Sequence, residues 1–177
     1  LPRFANIQPY AGPGAGLNDT IRFARTEMGG AFSWDEVKRY RDRWKRPLIL
    51  KGILHPEDAE MALKIGAEGI LVSNHGGRQI EALPPPIDCV PAIAKAVGNR
   101  ATILFDSGVR SGTDVARALA LGANAALAGK AFLWGLGALG TDGPGHVIDL
   151  LIDELQSALG QIGAQSPASP PLGADSP

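Results

Sequence analysis

The chain has 177 residues, of which 45% are hydrophobic and 20% are charged, and this balance predicts one soluble globular domain with a substantial core. The formal net charge of −1 gives no electrostatic basis for binding nucleic acid or an anionic membrane surface. Cys89 is the single cysteine, which excludes a disulfide within the chain and a cysteine-based metal cluster. No stretch is apolar enough to cross a membrane and the first residues do not resemble a signal peptide, so we expect a cytoplasmic protein.

Residues 1–31 lack a clear hydrophobic period and read as a loop-like segment. The run Ala11–Gly16 is rich in glycine and breaks regular structure. A short helix over 18–28, capped by Asn18 or Asp19, is the one regular element we predict here. So loose a start is more typical of a long internal loop than of the beginning of a domain.

Regular structure is predicted from residue 32 to residue 162. Ser33 and Glu36 have the spacing of a capping box, which starts a helix that runs to about Trp44. A strand over 48–50 then ends at Lys51. A helix over 56–65 with Gly66 as its C-cap, and a strand over 69–72, complete the first units.

The second half of this region repeats the same order of elements. We predict a helix over 87–97, a strand over 102–105, and a helix that is capped by Ser111 or Thr113 and ends near Leu121. A strand over 125–128 and a turn over 140–145 precede a last helix over 146–162. Residues 163–177 consist mainly of Pro, Ser, Ala and Gly and are predicted to be a disordered tail.

An internal repeat with an offset of 56 residues supports this order. For example, Gly52, Gly66 and Ala67 recur as Gly108, Gly122 and Ala123. Repeated strand–helix units with short apolar strands indicate an α/β fold with a parallel sheet and helices outside it. Four units make half of an eight-stranded TIM (β/α)8 barrel, which usually needs about 250 residues. A doubly wound sheet is the rival fold, but it carries its phosphate-binding glycines after the first strand.

A half-barrel leaves two outer strands with unpaired backbone and apolar side chains. We therefore expect the chain to be a fragment, one part of an assembly, or only marginally folded alone.

The segment Ser73–Gln79 follows the buried strand 69–72 and contains His75 and Arg78 in a glycine turn. Barrel enzymes place their chemistry at the carboxyl ends of strands. A histidine moves protons near neutral pH, and an arginine holds a carboxylate through two parallel hydrogen bonds. The pair therefore suits an anionic substrate that loses a proton. A polar turn with a solvated Arg78 and a hydrogen-bonded His75 is the alternative.

Cations and glycines also follow the other strands. Lys51 can stabilise negative charge on a cofactor or substrate, or can simply be a solvated lysine at a strand end. The segment 106–110 and the pair Gly129-Lys130 have the composition of a phosphate site, to which the helix near Thr113 would add its positive end. Ordinary turn glycines with surface cations are the alternative. The predicted phosphate-site residues are Asp106, Ser107, Gly108, Val109, Arg110, Gly129 and Lys130.

The remaining distinctive residues are interpreted as structural. His55 and His146 are expected at the surface, and the three histidines are too scattered for a metal site. The three tryptophans are predicted to pack between helices and sheet, and Cys89 to be a small packing residue. The tryptophans are Trp34, Trp44 and Trp134.

Several motifs between Phe32 and Ile162 resemble the FMN-dependent 2-hydroxy acid dehydrogenases and oxidases, which include glycolate oxidase and the L-lactate and mandelate dehydrogenases. The resemblance covers only the C-terminal half of that family's domain. The motifs are Lys51-Gly52, Ser73-Asn74-His75-Gly76-Gly77-Arg78-Gln79, Asp106-Ser107-Gly108-Val109-Arg110-Ser111-Gly112-Thr113-Asp114-Val115 and Ala120-Leu121-Gly122-Ala123.

The resemblance implies a role for each motif in oxidising an L-2-hydroxy acid to a 2-oxo acid. His75 would be the base, Arg78 would bind the substrate carboxylate, and the flavin of FMN would accept the electrons. Lys51 would stabilise the reduced flavin and Ser73 would contact its ring. The segment Asp106–Arg110, with Gly129 and Lys130, would hold the ribityl chain and phosphate.

The chain also departs from the family pattern. Lys130 stands where the family usually has arginine, so charge is kept but the fork geometry is lost. The N-terminal half would supply the first four strands, tyrosines for the substrate, and the aspartate that pairs with the catalytic histidine. The substrate's side chain and the electron acceptor stay open.

Three alternatives stay open at this point. One is a non-catalytic remnant or a half-barrel subunit that needs a partner, and another is a different phosphate-binding flavin barrel such as the type 2 isopentenyl diphosphate isomerases. A homo-oligomer, or association with a membrane through residues 1–31 as in mandelate dehydrogenases, is also compatible with the resemblance.

Overall fold

The computed structural model describes residues 5–27 and 32–167. The chain divides into two compact units, residues 1–39 and 40–177. The predicted limits of the barrel domain, 32–162, stay a prediction. Most of the predicted disordered tail lies outside the described residues.

The first unit contains a single turn of 3-10 helix, Gln8–Tyr10, and the helix α1, Leu17–Glu27. The Asp19 carboxylate accepts a hydrogen bond from the Gly16 N–H at 3.1 Å, and the Thr20 hydroxyl donates to the Gly16 carbonyl at 2.9 Å. These bonds close the first turn of α1. The predicted helix is confirmed over the described residues, but its predicted cap is wrong, because Asn18 and Asp19 both lie inside α1. Asp19 stabilises the start from within the first turn.

The helix α2, Trp34–Arg43, begins with the predicted capping box. The Ser33 N–H donates to the Glu36 carboxylate at 2.9 Å, and the Glu36 N–H donates to the Ser33 hydroxyl at 3.3 Å. The reciprocal pair satisfies two N–H groups that an α-helix leaves free at its N-terminus.

The second unit alternates strands and helices. In chain order its further elements are β1 (Ile49–Ile53), α3 (Pro56–Ile65), β2 (Gly69–Val72), α4 (Pro86–Val97), β3 (Thr102–Phe105), α5 (Gly112–Ala120), β4 (Ala125–Ala126), α6 (Lys130–Leu139) and α7 (Gly143–Gln161). The 3-10 turns His75–Gly77 and Gly140–Asp142 lie between them.

The sheet has four parallel strands in the order β1-β2-β3-β4. Gly69 pairs with Ile49 on one side and with Thr102 on the other. Every strand therefore neighbours the next one along the chain, as in a barrel and unlike a doubly wound sheet, whose order reverses. All four residues of β2 are buried because strands flank it on both sides. The predicted α/β half-barrel is confirmed.

Two predicted strand limits are wrong. β1 continues past Lys51 to Ile53, which still pairs with Val72 of β2. The register shifts between Lys51 and Ile53, at Gly52, whose φ is +96°. Lys51 therefore lies within β1 and not at its end. At the other edge β4 is only Ala125–Ala126, since it has a ladder partner on one side alone.

The helix α6 is absent from the prediction, and α7 begins at Gly143, three residues before the predicted start. The glycines of this region read as a turn over 140–145. One of them, Gly143, instead allows α7 to pack closely on α6: a Cβ on Gly143 would lie 2.0 Å from the Gly135 carbonyl oxygen. His146 is consequently inside α7, where it is exposed.

The core lies where α3 and α4 cover the sheet. Ile70 and Val72 of β2 and Val90, Ile93 and Val97 of α4 are completely buried. The predicted packing role of two tryptophans is wrong, since Trp44 and Trp134 are about half exposed. Cys89 is partly buried and points its Sγ at the Pro85 carbonyl, as expected for a packing residue.

Apolar side chains are exposed at the sheet edges, as predicted for a half-barrel. Ile49 of β1 is 49% exposed, and Leu127 after β4 is 42% exposed. Leu133, Leu136 and Leu139 of α6 are also about half exposed. No helix in the described part of the chain is long and apolar enough to cross a membrane.

Candidate active site

Functional side chains gather at one end of the sheet. Lys51 lies in the middle of β1, Ser73 follows β2, Asp106 follows β3, and Gly129 follows β4. The carboxyl ends of parallel strands meet at one edge of a sheet, so residues far apart in sequence become neighbours.

An ion pair is at the centre of this group. The Lys51 ammonium donates to the Ser73 hydroxyl at 2.6 Å and lies 2.8 Å from a carboxylate oxygen of Asp106. Ser73 is fully buried, whereas the Lys51 side chain is 43% exposed and that of Asp106 is 21% exposed. The Lys51 ammonium is therefore held by Ser73 after β2 and by Asp106 after β3, and its side chain is still partly exposed to solvent.

Asp106 is held in its ionised form. Its partial burial raises the pKa of the carboxyl, but hydrogen bonds from Lys51, Ser73 and Ser107 outweigh that effect and leave the pKa below its ordinary value. The carboxylate therefore keeps its charge opposite Lys51 at neutral pH.

His75 stands at the start of a left-handed turn. His75, Gly76 and Gly77 have φ values of +59°, +69° and +71°. The Asn74 side chain closes the turn by accepting the Gly77 N–H at 3.2 Å, and the His75 N–H donates to the Ser73 hydroxyl at 3.1 Å. These bonds fix the backbone from which the imidazole projects.

The imidazole of His75 lies directly over Gly52. A Cβ built on Gly52 would come within 2.9 Å of His75 Cε1, which is closer than side chains approach one another. Sequence reasoning assigned Gly52 no role of its own. Its position directly after Lys51 was a weak signal for such a role. The contact between Gly52 and His75 exists only because β1 pairs with β2.

Side chains from the next two units hold the turn. The Gly76 N–H donates to the Ser107 hydroxyl at 3.0 Å, and the Lys130 ammonium donates to the Gly76 carbonyl at 3.1 Å. The peptide groups after His75 are thus bonded on both sides. Lys130, predicted at a phosphate site, also belongs to the support of this turn.

The two phosphate-type turns have open backbones. No atom lies within 4 Å of a Cβ built on Gly108 or Gly129. Val109 is buried, and the Arg110 guanidinium lies over the Trp134 ring at 5.4 Å from its centre. Exposed Trp134 thus orients one of the predicted phosphate-binding cations.

Two helices, α5 and α6, begin after the predicted phosphate-site segments. At the start of α5 the Gly112 N–H donates to Glu154 at 2.8 Å, and Ser111 and Asp114 form a capping box. The prediction that this helix adds its positive end to a phosphate site stays a prediction. Carboxylates of Asp114 and Glu154 accept the Ser111 and Gly112 N–H groups at its start. The start of α6 at Gly129 has no side-chain cap. The run of apolar residues after Gly129-Lys130 was the sequence signal for α6, and its two glycines weakened that signal.

Arg78 is not brought into this cluster. Its side chain is exposed and makes no hydrogen bond or ion pair with the residues that the structure describes, while its backbone N–H donates to the His75 carbonyl at 3.4 Å. In the described ranges no group of three or more His, Cys, Asp or Glu is arranged to hold a metal ion.

Fold and site together define an α/β protein with a cationic, hydroxyl-lined site at the carboxyl edge of a parallel sheet. The sequence matches the family of FMN-dependent dehydrogenases over residues 7–170, and the chain belongs to this family. The family resemblance and its flavin cofactor are thereby confirmed at the level of the family.

Characterised relatives agree with this membership. An L-lactate dehydrogenase of Caulobacter vibrioides is 44% identical over 94% of this chain, and one of Serratia proteamaculans is 43% identical over 97%. In both cases the match covers 44% of the relative. The chain thus spans less than half the length of the relatives it matches.

Solved structures agree as well. A mandelate oxidase variant with the monooxide FMN adduct superposes with a TM-score of 0.73 and 43% identity, over 77% of this chain and 43% of the oxidase. Mandelate oxidase with 3,3-difluoro-2-hydroxy-3-phenylpropionic acid gives the same TM-score at 39% identity, over 81% of this chain.

Proposed function

We propose that this chain carries the proton-transfer and phosphate-binding side of an enzyme that oxidises an L-2-hydroxy acid to a 2-oxo acid with FMN. The carrying observation is the Lys51–Asp106 ion pair, which is hydrogen-bonded through Ser73 to the turn that presents His75. Family relatives named L-lactate dehydrogenase and mandelate oxidase support this reaction class.

The residues after β3 and β4 fit the phosphate of FMN. Gly108 and Gly129 leave open space where other residues would place a Cβ. Gly129 is also the N-cap of α6 and makes no side-chain cap hydrogen bond, so the N–H groups of this helix start suit an anion. Lys130 and Arg110 add positive charge. FMN, when bound, would supply a two-electron acceptor. Lys51 of β1 and Ser73 after β2 are neighbours on adjacent strands and would contact it.

His75 acts in this proposal as the base. Oxidation of a 2-hydroxy acid removes two electrons and two protons, one from oxygen and one from carbon, and His75 takes one of these protons. Its ring is positioned by Gly52 and its backbone by Ser73. Arg78, three residues on and exposed, is free to bind the substrate carboxylate through its guanidinium.

The test is anaerobic flavin reduction. The chain is purified with FMN, and we expect flavin absorbance to co-elute and to bleach when L-lactate, L-mandelate or glycolate is added. His75→Ala should abolish bleaching and keep the flavin, whereas His146→Ala, an exposed histidine of α7, should behave as wild type. Unchanged bleaching in His75→Ala would refute the role of the base.

A partner-dependent half-barrel is the second candidate, and the exposed apolar edge residues Ile49 and Leu127 favour it. In this case four further strand–helix units complete the sheet and the substrate pocket. Co-expression with the N-terminal half of the C. vibrioides L-lactate dehydrogenase should then yield a stable complex that retains more flavin than the chain alone. Equal flavin retention without complex formation would exclude this candidate.

A further inference from the structure

Ser107 occupies a backbone conformation that disfavours it. Its φ is +73°, in the left-handed region where glycine is the usual residue. The neighbouring Gly108 already gives this loop its flexibility, so the turn itself does not need a serine. A hydroxyl at position 107 must therefore contribute something that offsets the strain.

The hydroxyl of Ser107 connects the ion pair to the turn that follows His75. It donates its proton to Asp106 at 2.7 Å, accepts the Gly76 N–H at 3.0 Å, and lies 3.4 Å from the Ser73 hydroxyl. Ser73 in turn accepts hydrogen bonds from the Lys51 ammonium and the His75 N–H. A hydroxyl has one donor and two acceptor positions. Ser107 uses its donor toward Asp106 and an acceptor toward Gly76, and both acceptor positions of Ser73 are filled.

The direction of these bonds is set by Asp106. Its ionised carboxylate can only accept, so the Ser107 proton points to Asp106 and the lone pairs of Ser107 point to the turn. Bonds to a charged partner are the stronger kind. Ser107 thereby connects the ion pair of Lys51 and Asp106 to the peptide group that follows His75.

We propose that Ser107 is a positioning residue: its hydroxyl holds the Gly76 peptide and thereby keeps His75 in the left-handed conformation that places its ring over Gly52. The proposal rests on the proposed function of His75 as the base. It assigns to Ser107 a task toward the chain's own turn, in addition to any contact with the cofactor.

The test compares Ser107→Ala and Ser107→Gly in the chain without FMN. Both remove the hydroxyl, and the glycine variant also removes the backbone strain, so it should fold at least as well as wild type. We expect exchange of the Gly76 amide to become roughly fivefold faster in both, as for loss of one hydrogen bond. The Cε1–H resonance of His75 should shift in both. Ser111→Ala, which removes a hydroxyl from the same loop, should lower the melting temperature without changing either signal.

The outcomes separate this proposal from the proposed function. Unchanged Gly76 exchange and an unchanged His75 resonance in Ser107→Gly would overturn the positioning role. A change in both signals, in a chain whose flavin is not bleached by any 2-hydroxy acid, would support the positioning role and count against the oxidation. In an active chain, Ser107→Gly should lower the limiting rate of flavin reduction more than it raises the substrate concentration for half-saturation.

Discussion

His75 is an L residue in left-handed backbone, a conformation that costs of order 1–3 kcal/mol. Hydrogen bonds from its own N–H to Ser73 and from Gly76 to Ser107 offset this cost. The imidazole is then confined by the bare backbone of Gly52. Gly52 of β1, Ser73 after β2 and Ser107 after β3 together therefore fix the position of the proposed base.

Gly52→Ala should displace the imidazole. The substitution combines a φ of +96° with a Cβ 2.9 Å from His75 Cε1, so we expect a loss of more than about 1 kcal/mol of stability and a shifted His75 Cε1–H resonance. Gly66→Ala is the matched control: its φ is +93°, but its Cβ would meet only Arg41 Cδ at 3.6 Å. It should lose stability and leave the His75 resonance in place, as thermal melts and NMR spectra would show.

Asp106→Asn should change the pH dependence of stability. Because the pKa of Asp106 is lowered in the folded chain, its contribution is fully present above the ordinary value of 3.8 and is lost as the pH falls through the lowered pKa. The variant should be less stable than wild type at pH 7, and the difference should shrink below about pH 4. Urea unfolding from pH 3 to 8 measures this.

Asp153→Asn, at an exposed position of α7, is the control for that experiment. Its stability should run parallel to wild type over the whole range. A gap between Asp106→Asn and wild type that stayed constant down to pH 3 would show that the ion pair does not contribute through the charge of Asp106.

At the level of elements, the last three helices pack by backbone contact. A Cβ on Gly112 of α5 would lie 2.0 Å from the Leu155 nitrogen of α7, and α6 and α7 approach as closely at Gly135 and Gly143. Glycine permits this approach because it has no side chain to separate the helices. The same contact brings Glu154 to the start of α5, where its carboxylate accepts the Gly112 N–H.

Gly112→Ala should push α5 away from α7 and cost about 3 kcal/mol, since the clash is with backbone atoms that cannot rotate away. Gly137→Ala is its control within α6: a Cβ there meets no atom within 4 Å. That change should stabilise the chain by about 0.5–1 kcal/mol through the higher helix propensity of alanine. Urea denaturation of both variants measures the difference, and a stabilised Gly112→Ala would contradict the packing described here.

At the level of the whole molecule, the sheet within the described residues has two open edges, β1 and β4. The helix α6 follows β4 in the chain, and its side chains Leu133, Leu136 and Leu139 are between about half and two thirds exposed. Exposed apolar surface of this kind associates with other surfaces in water, because burial releases it from solvent. We therefore expect α6 to associate with a further apolar surface.

The purified chain should bind a hydrophobic dye and associate as its concentration rises. Replacing Leu133 and Leu136 together by lysine should reduce both effects, as dye fluorescence and sedimentation velocity would show. The pair Ser157→Lys and Gln161→Lys adds the same charge at exposed polar positions of α7 and should leave both unchanged. A monomeric wild-type chain without dye binding would contradict this expectation.

Much of the fold follows from short-range signals in the sequence. The Ser33–Glu36 capping box, the Gly66 cap and the buried run of β2 each lie within a few residues of the structure they form. The 56-residue repeat extends these signals to the alternation of strands and helices, and hence to a parallel sheet. The Ser73–Gln79 motif identified the family, because several specific residues occur together in one turn.

Tertiary structure decided what depends on strand register and helix packing. The Lys51–Asp106 ion pair, the contact of His75 with Gly52 and the bond from Lys130 to Gly76 join residues between 23 and 55 positions apart. No local pattern encodes such distances, since they exist only once β1, β2, β3 and β4 are aligned. The glycines of 140–145 predicted a turn for the same reason. Gly143 instead permits the close crossing of α6 and α7, which depends on how the two helices pack.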